Sequence, residues 1–202
     1  MREYTVANIL DLLETIGEDK VSFALSEFSC PRNAEIEEFI HNNAIDFAKK
    51  KMSITYLVFD EEGQIEAFFT LTHKPSAVGD GLLSKTSQKK LSRHARFDAE
   101  IQAYSVSAFL IAQFGKNESA RGNEHISGNQ LMDFAISVLK NVQRQVGGGV
   151  VFLECEDKAG LLNFYQNEHN NFKIYGERFS DSDQVRYIQL LRFFKKTVIP
   201  KE

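Results

Sequence analysis

The chain reads as an α/β protein with a mixed, mostly antiparallel central sheet of six to seven strands flanked by helices, and three observations predict it. Apolar residues recur at helical spacing in four separate segments, at 9–16, 34–51, 131–142 and 159–168. Runs rich in β-branched and aromatic residues lie between them, two joined by a hairpin-type turn. A long apolar run is then followed by a glycine-bearing helix start and a second buried strand, which places the centre of the sheet late in the chain.

Ile9, Leu10, Leu12, Leu13 and Ile16 form an apolar stripe that stops at Gly17, which predicts a short N-terminal helix with a glycine cap. Val21 to Cys30 then reads as a first strand. Ala34 to Lys51 returns to helical spacing, with Glu35, Glu37 and Glu38 in the first turns and Lys49 to Lys51 at the end, as the helix dipole favours. Ile54 to Phe59 and Ile65 to Leu71, separated by Asp60 to Gly63, predict an antiparallel hairpin. From Leu82 to Arg96 the chain is polar and basic, with Lys85, Lys89, Lys90, Arg93 and Arg96 and no acid, which predicts a helical or mobile insertion at about 82–98.

Ala103 to Phe114 is too continuously apolar to face water along most of its length and reads as the central strand. After a polar loop from Gly115 to His125, the spacing of Leu131, Ala135, Val138, Leu139 and Val142 predicts a helix that ends at Gly147 to Gly149. Val150 to Cys155 predicts a buried strand and Ala159 to Glu168 a helix. Phe172 to Phe179 and Arg186 to Phe194 predict two closing strands around the polar turn Ser180 to Asp183. With 202 residues and no linker-like stretch, the whole chain, 1–202, is expected to form one domain.

Composition narrows the functional classes. The chain is 43% hydrophobic and 26% charged, which excludes a disordered protein and supplies a core. No apolar run approaches the roughly 20 residues of a membrane span, and Arg2, Glu3, Asp11 and Glu14 stand where a signal peptide would be apolar, so no membrane association and a cytoplasmic location are expected. Cys30 and Cys155 lack a CxxC partner, and His73, His94 and His169 are not spaced as ligands, so no metal is expected. A net charge of −4 leans away from nucleic acid as a general partner. No Gly-x-Ser-x-Gly elbow supports a serine hydrolase.

A helix N-terminus presents unpaired amides and a positive dipole end to an anion. Ser127, Gly128 and Asn129 occupy the predicted helix start, where Gly128 lets a diphosphate approach the backbone, and His125 is positioned to meet phosphate or solvent.

The order of elements, together with Leu110 to Lys116, Asn123 to Met132 and Leu153 to Tyr165, resembles the GNAT superfamily of N-acetyltransferases over most of the chain, from about Val21 to Phe194. The resemblance implies acetyl-coenzyme A as co-substrate and direct transfer of acetyl to an amine acceptor that the sequence does not identify. It places the pantetheine arm on the main chain of Phe114, Gly115 and Lys116, and the diphosphate in the segment holding Asn123, His125, Ile126, Ser127, Gly128 and Asn129. That phosphate loop is divergent, because Asn123 stands where Gln or Arg is usual and Ile126 where the first Gly is usual. Lys158 stands where the family has an Asn that contacts the cofactor. Phe164 and Tyr165 match the family's Phe-Tyr step, and Tyr165 is implied as the general acid that protonates the departing thiolate.

An amine must lose its proton before it attacks, and Glu100, Glu154 and Glu156 are the candidate bases. Glu100 precedes the long strand, while Glu154 and Glu156 share one face of theirs. Phe28 to Cys30, Glu35 to Ile40, Ala44 and Thr55 to Leu57 resemble a GNAT branch that includes toxins acting on aminoacyl-tRNA. In that branch the basic segment Lys85 to Arg96 would meet tRNA phosphates. A catalytically degenerate domain that binds coenzyme A or a protein partner is the alternative of a different class, and a homodimer is compatible with either.

Overall fold

In the computed structural model, which describes residues 3–79, 81–119, 125–181 and 184–194, the described strands form one sheet of eight. Along that sheet the order is β1 (Thr5–Asn8), β2 (Ile54–Phe59), β3 (Ile65–Gly79), β5 (Ala103–Lys116), β6 (Val150–Glu156), β8 (Val185–Phe193) and β7 (Lys173–Ser180). A short strand, β4 (Arg96–Asp98), pairs with β5 off this path. The fold divides into two compact units, 1–72 with 111–138, and 73–110 with 139–202, so β3 and β5 contribute to both.

In the first unit β1 pairs antiparallel with β2 from Thr5↔Phe59 to Asn8↔Tyr56, and β2 pairs antiparallel with β3. Asp60 closes the β2–β3 hairpin by accepting the amides of Glu62 and Gln64 on one carboxylate oxygen, at 3.0 and 2.8 Å. Five helical segments cover this part: α1 (Ile9–Ile16), α2 (Glu18–Ser26), α3 (Ala34–Glu38), a π-helical turn at Phe39–Asn43, and α4 (Ala44–Lys49). Asn8 and Asn33 cap α1 and α3 by accepting amides of their first turns. The core joins Ile9, Leu25, Phe28, Ile40, Leu57 and Phe68.

One expectation is overturned here. Residues 21–30 form no strand: 18–26 are α2. The alternation of Val21, Phe23 and Leu25 suggested period two, yet Val21 and Leu25 are buried while Phe23 is 67% exposed, which is the i, i+4 spacing of one helix face. Gly17, at φ +85°, breaks the chain between α1 and α2, and Glu18 and Asp19 then occupy a new first turn. The strand that opens the chain lies earlier, at β1, and is too short to announce itself.

In the second unit β6 pairs antiparallel with β8, and β8 with β7. The core gathers Val78, Leu83, Leu91, Val106, Phe152, Tyr175 and Leu191. The basic insertion is ordered: Ser84 caps α5 (Lys85–Leu91), Leu83 and Leu91 are buried beneath it, and β4 follows. His94 packs so closely on Gly149, and Phe109 on Gly148, that a Cβ at either glycine would overlap the ring. The central strand also departs from expectation. Ser105 and Ser107 are exposed on one face of β5 and Ala112 on the other, so the strand is left open at different places on its two faces.

Candidate active site

The first unit holds the end of β5 and the start of the longest helix, α6 (Gly128–Val146). Strand geometry continues past the point where a loop was expected, through Gly115 to Lys116. Gly115 is required by packing, since a Cβ there would lie 2.5 Å from Ile36 Cγ2 and 3.2 Å from the Phe68 ring. Phe114 is half-buried and Lys116 exposed. Asn117 then ties the strand end down: its amide donates to the Glu66 carbonyl at 2.8 Å, and its side-chain Nδ2 donates to the Ile65 carbonyl at 2.7 Å. Its Oδ1 accepts the amides of Ser29 and Ser119.

Asn123 lies outside the described residues. His125 places Nδ1 3.3 Å from Oε2 of Glu66 on β3. Ile126 is fully buried, main chain included, so it anchors this segment and offers no exposed atom to a ligand. Ser127 and Gln130 form a reciprocal cap, in which Ser127 Oγ accepts the Gln130 amide at 3.2 Å while Gln130 Oε1 accepts the Ser127 amide at 3.1 Å. This cap occupies two amides that an anion could have used and leaves the first helical amide, that of Gly128, without a partner among the described residues. Asn129 beside it is half-buried.

The second unit holds the other candidates. Along the sheet, β5 and β6 pair in parallel through Phe109↔Val151 and Leu110↔Phe152, two positions of a seven-residue β6. Tyr165, in α7 (Ala159–Gln166), is 7% exposed, with edge-on rings of Phe164 at 4.9 Å and Phe172 at 5.9 Å between centroids. Burial first, and Cys155 second, push its phenol well above the ordinary value, so the hydroxyl keeps its proton throughout the neutral range. Among the described residues that hydroxyl makes no hydrogen bond. The Cys155 thiol is itself pushed up to about 11 by burial, with Asp157 and Glu156 adding to the shift.

The three carboxylates sit in different settings. Glu154 Oε2 accepts from Arg178 Nε at 2.6 Å, and its Oε1 accepts from Gln189 Nε2 at 2.8 Å, so both oxygens are engaged. Glu156 pairs with Lys158 at 2.6 Å, and Lys158 serves as the N-cap residue of α7 through its backbone alone. Glu100 is exposed in the turn before β5, its amide bound to Asp98. Sequence reasoning missed Glu66, although a glutamate inside the apolar run Ile65 to Phe69 was a visible signal, and it missed the Ser127-x-x-Gln130 cap. It also missed a polar surface recess of about 450 Å³ in the first unit, lined by Glu27, Gln64, Asn117 and Ser119 among others. Among the described residues no cluster of His, Cys, Asp or Glu could hold a metal ion, and no helix is long and apolar enough to cross a membrane.

No protein-family model matches the chain, and no curated protein sequence does. Solved structures do. AtaT complexed with acetyl-methionyl-tRNAfMet shares 16% identity over 92% of this chain and 94% of that one, with a TM-score of 0.60. A tyrosine-to-phenylalanine mutant of KacT shares 16% identity over 93% and 95%, with a TM-score of 0.59. The NatC complex bound to Gag peptide and CoA shares 13% identity over 96% and 99%, with a TM-score of 0.53. At such identities the likeness establishes the fold, and the chain has the GNAT-like mixed α/β sheet flanked by helices.

Proposed function

We propose that the chain is an acetyl-coenzyme A-dependent N-acetyltransferase. The observation that carries the reading is the brief parallel contact between β5 and β6 in a fold shared with structures that hold CoA or an acetylated tRNA. In this reading the main chain of Phe114, Gly115 and Lys116 receives the pantetheine arm as an added strand. The α6 entrance, from His125 through Asn129 and preceded by Asn123, receives the diphosphate, with the Gly128 amide as its central donor. Lys158 supplies a cation near the head of α7.

Tyr165 donates its proton to sulfur as the C–S bond breaks and the acceptor nitrogen bonds to the acetyl carbon. The nitrogen's own proton leaves through water or a carboxylate. Of the three candidate bases Glu156 is the best suited, since its single ion-pair partner leaves one oxygen for water, whereas Glu154 is committed on both and Glu100 lies at the far end of β5.

Calorimetry with acetyl-coenzyme A, followed by thiol-release assays over an amine panel, tests the proposal. Binding without turnover on any amine would favour a degenerate coenzyme A-binding domain instead.

A second reading names the acceptor as the α-amine of an aminoacyl-tRNA. Lys85, Lys89, Lys90, Arg93 and Arg96 are all exposed, and none has a carboxylate partner among the described residues. AtaT, similar in fold, is complexed with an acetylated aminoacyl-tRNA. Charged tRNA in the panel should be acetylated in a salt-sensitive manner, and reversing two of these cations should flatten the salt dependence.

A further inference from the structure

We infer that Glu66 is a positioning residue for phosphate recognition: from inside β3 it orients His125 at the mouth of α6, where the ring meets the coenzyme A diphosphate. The inference rests on the acetyl-coenzyme A reading above. The Glu66 side chain is wholly buried, and a carboxylate withdrawn from water is costly unless a donor or cation faces it. His125 faces it, with Nδ1 3.3 Å from Oε2, while 38% of its side chain stays open to solvent. With Nδ1 committed inward, Nε2 is the ring nitrogen left for a ligand. A ring carrying both protons donates one to the carboxylate and the other to a phosphate oxygen, a pair of charge-assisted bonds.

The described neighbours of the pair are held in place before any ligand arrives. The Glu66 carbonyl accepts the Asn117 amide at 2.8 Å, which fixes the start of β3 against the end of β5. Ile126, next to His125, is fully buried, and Ser127 is locked to Gln130 by the reciprocal cap. His125 is thus restrained through its backbone on one side and through its ring on the other. Binding then loses less side-chain freedom than it would with a free surface histidine. A glutamate in an apolar strand, which packing alone would not select, acquires a reason: it acts on the ligand through His125.

The experiment is a double-mutant cycle read by calorimetry of the full chain with coenzyme A. Glu66→Gln keeps the volume and removes the charge, and His125→Ala removes the ring from a site open enough to tolerate the loss. Each single variant should weaken binding about fivefold or more, and the double variant should bind no more weakly than His125→Ala alone. His125→Lys, which places a donor and a cation at the same position, should retain more affinity than His125→Ala. A Glu66→Gln protein that binds as the wild type does, or a Glu66→Gln loss that persists undiminished in the His125→Ala background, overturns the inference. Should Glu66→Gln not fold, His125→Ala with unchanged affinity overturns it equally. Failure of the wild type to bind coenzyme A up to about 1 mM sinks the acetyltransferase reading itself, and this inference with it.

Discussion

The entrance to α6 and the seat of Tyr165 are built by opposite means. At the entrance polar groups are satisfied reciprocally: Ser127 and Gln130 exchange bonds, Asn117 stitches two strand ends, and His125 meets Glu66. At Tyr165 the phenol ring packs edge-on against two aromatic rings near a thiol, and its hydroxyl makes no hydrogen bond among the described residues. The first arrangement suits a place that grips an anion without rearranging. The second keeps the phenol protonated, and so available as a donor, while making it a weaker acid than a phenol in water. Binding and chemistry should therefore separate under mutation.

The largest effect is expected at Tyr165. Tyr165→Phe should lower turnover by about 10²–10⁴-fold while leaving the Kd for acetyl-coenzyme A within twofold, by thiol release and calorimetry. Equal loss in both would erase the contrast between the two regions. Next, Gly115→Ala forces a Cβ into Ile36 and Phe68 and should cost about 1–3 kcal/mol of stability, read as a lowered denaturation midpoint. Ser127→Ala should cost about 1 kcal/mol through the lost cap, and should also shift coenzyme A affinity without touching turnover at saturation.

The smallest effect concerns alkaline pH. Cys155 and Tyr165 have raised pKa values in the folded chain, so the unfolded chain releases their protons first. The stability they lend is complete below their unfolded values and is lost as pH rises, for Cys155 between about 9 and about 11. Cys155→Ala should flatten the fall of the melting temperature over that window, and an unchanged slope would assign the fall to other groups.

Much of this architecture was readable from pattern. The stripes of α1 and of 34–51 and the hairpin around Asp60 all declare themselves through period and turn chemistry, as does α6 with its terminal glycines. The segment 18–26 did not, because Val21 and Leu25, four residues apart, fit a helix face and a strand face equally well, and only their partners decide between them. Long apolar β5 misled in another way: Ser105, Ser107 and the apolar Ala112 are exposed along it, and burial of a strand depends on what covers it.

For the site the division follows the same line. Local patterning was enough to place Ser127 and Gly128 at the start of one helix and Tyr165 within another, while the role expected of Tyr165 came from the family resemblance. The pairing of Glu66 with His125 joins positions 59 residues apart, and the engagement of Glu154 by Arg178 and Gln189 spans 24 and 35. Capping and periodicity act within a few residues and so leave a trace in the chain's order. Which carboxylate is buried against a ring, and which is tied up in an ion pair, depends on contacts that exist only once distant strands have come together.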